Sequence, residues 1–291
     1  MRVKKVKAAD LHTLVDMDWV DRSRRPYRKG DTVYVPVTSG YPYDLSIPGR
    51  RRRGRGYQRL GDTVVFHGNR PEERDIHDVM VREEPACILF IPGHTGSLRV
   101  PSYEVIFGTP HEVLHRECGI SYWLDPTKVM FSQGNRGEKE RIASLIRSSG
   151  NTERIADMFA GIGYFTLMSA AAGGMVHAME MNYESYAYLL KNIQANELAD
   201  RIQADCGDCR DYLSGSYDRV IMGHFDAACY LPDALSHIRS DGTLHLHTIC
   251  PDEEAIKNTI CDYGFDAQIS VHRVKKYAPQ IWHYVLDVVV V

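Results

Sequence analysis

From residue 150 onward, short apolar runs alternate with stripes at helical spacing. Arg154 to Asp157 reads as a strand that ends in an acid, and Met175 to Met179 as a second strand that delivers Glu180. Ile202 to Cys206, Arg219 to Met222 and Thr243 to Ile249 are three more such runs, and Ala267 to Val274 with Trp282 to Val291 form a closing pair. Between the runs, Tyr186, Leu189, Leu190 and Ile193 recur on one helical face. Pro251 and the acids Asp252, Glu253 and Glu254 open a further helix, and Gly264 follows its end. Strand, helix, strand, helix in succession predicts a doubly wound α/β sheet of seven strands finished by a hairpin.

Upstream the texture changes twice. Asp62 to His67, Ala86 to Ile91 and Tyr103 to Phe107 are β-rich runs cut by Gly and Pro, with a helix expected over Pro71 to Met80. They predict a smaller α+β domain. Ile142, Leu145 and Ile146 give a core-facing stripe to a helix expected to start at Glu138. The first 56 residues mix basic clusters with turn residues and one short strand, Thr32 to Val35, stopped by Pro36. The expected division is a basic N-terminal region (1–56), a small α+β domain (57–136) and a Rossmann-like catalytic domain (137–291).

Composition narrows the class. With 44% hydrophobic and 25% charged residues in 291, the chain has the make-up of an ordinary globular protein. No run approaches the roughly 18 apolar residues of a bilayer span, and no apolar segment follows Met1 to Lys7, so a cytoplasmic protein with no membrane attachment is expected. Seven dispersed cysteines argue for reduced thiols. Cys206 and Cys209 have C-x-x-C spacing but no second pair to complete a tetrahedral zinc site; a redox pair is the alternative. The net charge of −3 conceals an asymmetry: residues 1–60 hold 15 Lys and Arg against 6 Asp and Glu, net +9, and the remainder is net −12. The run Arg50 to Arg53 reads either as a solvated loop or as phosphate contacts to a nucleic acid.

The stretch with most chemistry is Ile155 to Asn182. Asp157 ends the strand, the chain turns through Phe159-Ala160-Gly161-Ile162-Gly163, and a helix is expected to open at Tyr164. Gly161 and Gly163 let the backbone approach a ligand closely. Glu180, 23 residues after Asp157, is placed to accept ribose hydroxyl protons. Thr166 stands where a dinucleotide fingerprint has its third glycine, which favours a nucleoside without pyrophosphate. Asp208, after the third strand, can accept an adenine amino group while its neighbour Cys209 closes over the ring. In the polar loop from Ser132 to Gly137 and the helix behind it, Ser132 and Lys139 offer a hydroxyl and a cation to a carboxylate. The plain alternatives are a glycine turn in an ordinary sheet and an inter-domain linker.

His111-Glu112-Val113-Leu114-His115 is a literal H-E-x-x-H. A zinc peptidase carries this motif on a helix, which sets both imidazoles on one face. Thr109-Pro110 before it and Gly119 after it leave at most about two helical turns, Ile120, Tyr122 and Leu124 then alternate as in a strand, and no third ligand is evident. No metal is expected.

The segment D-x-F-A-G-x-G-x-F at Asp157 to Phe165 resembles the first motif of S-adenosylmethionine-dependent transferases. Taken with Phe131-Ser132-Gln133-Gly134-Asn135, Glu138-Lys139, Arg141, Gly207 to Asp211, Asp218 to Gly223, Lys276 to Pro279 and Trp282-His283, it resembles the archaeal and eukaryotic wybutosine-synthesis tRNA transferases over residues 57–291. The resemblance takes in His115-x-Glu117-x-Gly119-Ile120, which makes the H-E-x-x-H a decoy. It implies a class I methyltransferase-like fold similar to that of the tRNA guanosine-37 N1-methyltransferases. That branch carries an arginine after F-S-P in the loop and Asn-Leu-Pro or similar after the fourth strand, where this chain has Gly134-Asn135 and Gly223-His224. The implied reaction is therefore transfer of the 3-amino-3-carboxypropyl group of S-adenosylmethionine to carbon 7 of 4-demethylwyosine at position 37 of phenylalanine tRNA. The implied partner is the anticodon loop of that tRNA, with no obligatory protein partner. On this reading Ser132 and Lys139 hold the methionine carboxylate, Asp157, Phe159, Gly161 and Gly163 form the turn that admits the donor, Glu180 binds the ribose, and Asp208 with Cys209 binds the adenine. The base for the carbon-7 proton is not identified; Asn135 and His224 are only near the expected site. Methyl transfer to guanosine-37, a non-catalytic RNA-binding protein and a zinc hydrolase are the rival readings.

Overall fold

Fully apolar stretches such as Ile155-Ala156 and Val220-Ile221-Met222 are buried on both faces, as the middle of a sheet covered by helices requires. In a computed structural model describing residues 2–14, 17–22, 26–46, 56–96, 98–278 and 280–291, they lie in a seven-stranded sheet. Its strands are β1 (Arg154–Asp157), β2 (Met175–Glu180), β3 (Ile202–Cys206), β4 (Tyr217–Met222), β5 (Ile238–Thr248), β6 (Ala267–Ala278) and β7 (Ile281–Val290). The spatial order is β3-β2-β1-β4-β5-β7-β6. The first five are parallel and β7 runs antiparallel to both β5 and β6. The order reverses between β1 and β4, which opens a crevice at the carboxyl ends of those strands.

Two features differ from the sequence expectation in ways that reshape this crevice. The turn after β1 stays irregular to Phe165, and the helix begins at Thr166, because Gly161 (φ 58°) and Gly163 (φ 100°) hold left-handed backbone that a helix cannot continue. The last hairpin is also longer. Lys275 pairs with His283, Lys276 with Trp282 and Ala278 with Ile281, so residues expected in a loop are ladder.

Three helices matter for the site: α1 (Arg136–Ser148), α2 (Thr166–Ala171) and α3 (Tyr183–Ala195). On α1, Ile142, Ala143 and Ile146 are buried while Leu145 faces out. Residues 57–108 form a four-stranded sheet of Tyr57–Leu60, Thr63–His67, Cys87–Thr95 and Val100–Gly108, with a helix at Glu73–Glu83. A separate hairpin, Val113–Glu117 with Ile120–Leu124, packs on α3. Asn192 fastens it there: its Oδ1 accepts from the Trp123 amide at 2.6 Å, and its Nδ2 donates to the carbonyls of Trp123 and Ile162. One apolar core runs from Leu60, Leu89 and Tyr122 through Phe131 and Ile142 to Ile155 and Leu189. It crosses the expected 136/137 boundary, and residues 56–291 cluster as a single unit.

Residues 2–46 carry more regular structure than the single strand expected. Arg2–Lys7, Tyr27–Lys29, Thr32–Pro36 and Leu45–Ser46 make an antiparallel sheet that buries Val3, Val33, Val35 and Val37. Its cations lean on aromatic faces, Lys4 Nζ 4.6 Å from the Trp19 ring and Arg2 5.1 Å from that of Tyr43. The basic run Arg50 to Arg53 lies outside the described residues. Among the described residues no helix is long and apolar enough to cross a membrane.

Candidate functional site

The crevice at the carboxyl ends of β1, β2 and β4 holds a cavity of about 350 Å³. Gly161 forms part of its wall. Its left-handed φ and the Tyr164 ring, 2.6 Å from where a Cβ would stand, both exclude a side chain there. The Tyr164 hydroxyl donates to the Met130 carbonyl and so ties the turn to the loop before α1. Glu180, at the end of β2, accepts the amide of Gly161 at 2.7 Å with one oxygen and that of Asn182 at 2.7 Å with the other. Burial pushes its pKa up. Each oxygen keeps a second lone pair for a ligand hydroxyl.

Asp208 and Cys209 also line the cavity. Asp208 caps the short helix after β3 and binds Arg210 through Nε at 3.0 Å and Nη2 at 2.5 Å, which holds its pKa below the usual carboxylate range. Burial, and then the neighbouring Asp208 carboxylate, push the Cys209 thiol up to about 12, so it is a neutral packing group and not a nucleophile. Phe159, edge-on to Tyr230 at 5.1 Å, gives the same end an apolar bed together with Met158 and Met181.

Three of the residues expected from sequence stand behind the cavity instead of on it. Lys139 is 1% exposed; its ammonium is bonded to Glu117 and lies 5.2 Å, 5.3 Å and 5.9 Å from the rings of Tyr122, Phe131 and Tyr164. It does not line the cavity in this structure. Asp157 is fully buried beneath the turn and accepts from Thr166 Oγ1 at 2.7 Å; burial raises its pKa to about 6. A Cβ on Gly163 would meet Leu167 at 2.9 Å and Leu189 at 3.1 Å, so this glycine serves the packing of the turn against α2 and α3. Ser132, Phe159, Gly161, Glu180, Asp208 and Cys209 do line the cavity.

The cation beside Ser132 is Lys275 of β6, whose Nζ donates to Ser132 Oγ at 2.8 Å. Burial, with Arg99 and Lys139 nearby, lowers its pKa to about 8. Close to it, His283 Nε2 and His247 Nδ1 are hydrogen-bonded at 3.0 Å. Burial and the Lys275 charge lower the His283 pKa to about 4, and burial takes His247 well below its usual value, so both are neutral. His224 also lines the cavity, with its pKa lowered by burial and by Arg99. Lys275, His247 and Arg99 were not singled out from sequence, and His283 was noted only as part of the resemblance. The available signal was the alternation of Lys275, Tyr277 and His283, which continues the strands into the supposed loop.

The H-E-x-x-H motif is not helical, since Val113 onward is a strand. His111 bonds Asp62 at 2.9 Å and the Thr109 carbonyl at 2.9 Å, whereas His115 turns its edge to Phe131 at 4.9 Å. Backbone pairing with Ile120–Leu124 satisfies the segment better than a two-turn helix between Pro110 and Gly119 would. Among the described residues no group of three His, Cys, Asp or Glu side chains is placed to hold a metal.

The cavity thus has two kinds of lining: Glu180, Asp208 and an apolar bed suit a nucleoside, and Ser132, Lys275 and Arg99 suit an anionic group. Comparison with known proteins agrees with this picture. Residues 113–272 match the family described as the TRM5/TYW2 methyltransferase domain. A relative from Methanocaldococcus jannaschii named tRNA(Phe) (4-demethylwyosine(37)-C(7)) aminocarboxypropyltransferase is 34% identical over 244 residues, covering 79% of this chain and 96% of the relative. The crystal structure of Pyrococcus horikoshii TYW2 in complex with MeSAdo superposes with a TM-score of 0.68 at 30% identity, over 80% of this chain and 90% of that one. The complex structure of aTrm5 and tRNALeu, at 20% identity, has a TM-score of 0.70 over 100% of both chains and so shares the fold.

Proposed function

The chain belongs to the TRM5/TYW2 family, and from that premise we propose that it is a tRNA-modifying transferase that moves the 3-amino-3-carboxypropyl group of S-adenosylmethionine to carbon 7 of 4-demethylwyosine-37 in tRNA(Phe). The observation that carries this reading is the cavity at the switch point between β1 and β4, whose lining combines groups suited to a nucleoside with groups suited to a carboxylate. The donor is a substrate, and the residues that line the cavity fit it. Glu180 receives the ribose hydroxyls, Asp208 the adenine amino group, and Phe159 with Cys209 the ring faces. Gly161 allows the ligand to approach the backbone.

Binding both ends of the donor fixes which of the three sulfonium carbons meets the RNA. Carbon 7 attacks the γ-carbon of the amino-acid arm, the carbon–sulfur electron pair passes to sulfur, methylthioadenosine leaves neutral, and carbon 7 releases its proton. Because the leaving group begins as a cation, the side chains contribute chiefly position and exclusion of water. In this scheme residues 137–291 supply most of the donor cavity, residues 57–136 add Arg99, Ser132 and Asn135 to its wall, and the basic region 1–56 contacts tRNA phosphates. A tRNA substrate is compatible with a reaction in the cytoplasm.

The test is a pair of donors labelled separately in the methyl and the carboxypropyl carbons, supplied with tRNA bearing 4-demethylwyosine. Label from the carboxypropyl carbons is expected in RNA, with methylthioadenosine released. Label from the methyl alone would make the chain a methyltransferase of the same fold, and label from neither would leave it an RNA-binding protein.

A further inference from the structure

β5 and β7 each place a buried histidine on the cavity wall, His247 and His283, both 1% exposed. His283 pairs with Lys275 across the β6–β7 ladder, and rings of Phe165 and Phe225 stand edge-on to the two imidazoles at 5.1 Å each. The inner nitrogens bond each other at 3.0 Å. The outer nitrogens, His247 Nε2 and His283 Nδ1, are buried with no hydrogen-bond partner among the described residues. Whichever inner nitrogen carries the bonding proton, the neutral pair keeps one outer N–H and one outer lone pair. Leaving both unmatched in a buried wall is costly, so the pair is built to meet a group that enters the cavity.

Carbon 7 must give up a proton, and the other candidate acceptors of the cavity are engaged. Both Glu180 oxygens accept backbone amides, and Asp208 is held by Arg210, which makes it a weak base. His224 Nδ1 accepts the Asp226 amide at 3.2 Å, so the outer nitrogen of its neutral ring is an N–H and not a lone pair. The Asp226 side chain is 78% exposed. On the reading of the cavity as the site of aminocarboxypropyl transfer, we propose that the His247–His283 pair takes the proton that carbon 7 releases. A π pair of the base forms the bond from carbon 7 to the γ-carbon, and the carbon–sulfur pair goes to sulfur. The carbon–hydrogen pair then returns to the ring as the proton passes to the outer lone pair of the histidines. One neutral pair becomes one imidazolium, which loses a proton to solvent when the products leave. A weak base is sufficient, because the cation formed by attack is a strong acid. Burial and the Lys275 charge, which lower the His283 pKa to about 4, favour return of the pair to its neutral form.

The test is single-turnover transfer by the full chain, with carboxypropyl-labelled donor and tRNA whose 4-demethylwyosine carries hydrogen or deuterium at carbon 7. His283→Gln and His247→Asn each keep an amide where the inner nitrogen stood and remove one imidazole. Each should slow label transfer by about 100-fold, the scale of a lost general base, while calorimetry shows S-adenosylmethionine bound within about threefold of wild type. Without the acceptor, the cation returns its new substituent to sulfur unless its proton is lost another way, so carbon–hydrogen cleavage comes to limit transfer. Deuterium should therefore slow the variants more than it slows the wild type. Transfer at the wild-type rate in both variants would overturn the assignment. So would a slower rate with no larger isotope effect than wild type, or one matched by an equal loss of donor affinity, since either marks the pair as packing alone. A wild-type chain that transferred no carboxypropyl label would overturn the reading of the function, and the assignment with it.

Discussion

Asp157 shows how a residue can be legible in type while its surroundings are not. An acid at the end of β1 is visible in the sequence, but its side chain points under the turn and is fully buried, with Thr166 Oγ1 at 2.7 Å. Its folded pKa of about 6 lies above the ordinary 3.8, so from roughly pH 4 to 6 the folded state keeps a proton that the unfolded state has lost. Stability from this group is therefore greatest at low pH and falls as pH rises through that window. The stability difference between Asp157→Asn and wild type, from urea unfolding, should grow by about 2 kcal/mol between pH 4 and 6.5 and level off above pH 7. A difference that did not vary with pH would show that Asp157 is ionised in the fold. Glu180 and Asp208 were more readable because strand ends at a switch point face the crevice whatever the packing beneath. The lysine that bonds Ser132 in the fold was not readable. Ser132 has a lysine seven positions away, yet its partner is 143 residues distant in sequence, and only the register of β6 brings it there.

At the scale of elements, α1 is joined to the sheet by a charged knot, not by packing alone. Arg141 reaches Glu138 on its own helix at 2.6 and 2.9 Å and Asp287 of β7 at 2.5 and 2.9 Å, while Asp287 also accepts from His245 of β5 at 2.6 Å. Burial alone would raise the Asp287 pKa, but hydrogen bonds from His245 and Arg141 outweigh it and hold the group well below its ordinary value. Arg141→Met would leave two largely buried carboxylates facing each other. Removing one member of such a group costs about 3–5 kcal/mol; with Arg141 a quarter exposed, about 2–4 kcal/mol is expected in urea unfolding. Arg141→Met in an Asp287→Asn background should cost less than the two changes summed, and simple additivity would mean that the knot does not act as a unit. The helix periodicity of Ile142 and Ile146 was readable, whereas the knot was not, because its members lie on three elements. The secondary structure of the H-E-x-x-H segment was only partly legible for a related reason. Its local pattern permits a helix, but the hairpin with Ile120–Leu124 and the seat on α3 decide for a strand.

Across the whole molecule the charge is divided along the chain, net +9 in residues 1–60 and net −12 in the rest. An acidic catalytic body repels a polyanion, so attraction must come from the basic region. Residues 56–291 carry their own continuous core and their own cavity, and the sheet of residues 2–46 buries its valines separately. A chain deleted for residues 1–55 is therefore expected to fold, to bind S-adenosylmethionine within about twofold of the full chain, and to bind tRNA at least tenfold more weakly at low salt. Phosphate contacts release counterions, so log affinity of the full chain should fall steeply and linearly with log salt between 50 and 200 mM, and the deletion should flatten that slope. Replacing Arg50 to Arg53 alone should remove part of the slope and weaken tRNAs of different sequence alike, since phosphate contacts carry no sequence information. If the deletion left both tRNA affinity and salt slope unchanged, the acidic body would have to hold the RNA by contacts to bases or sugars, and the charge asymmetry would have no part in recognition.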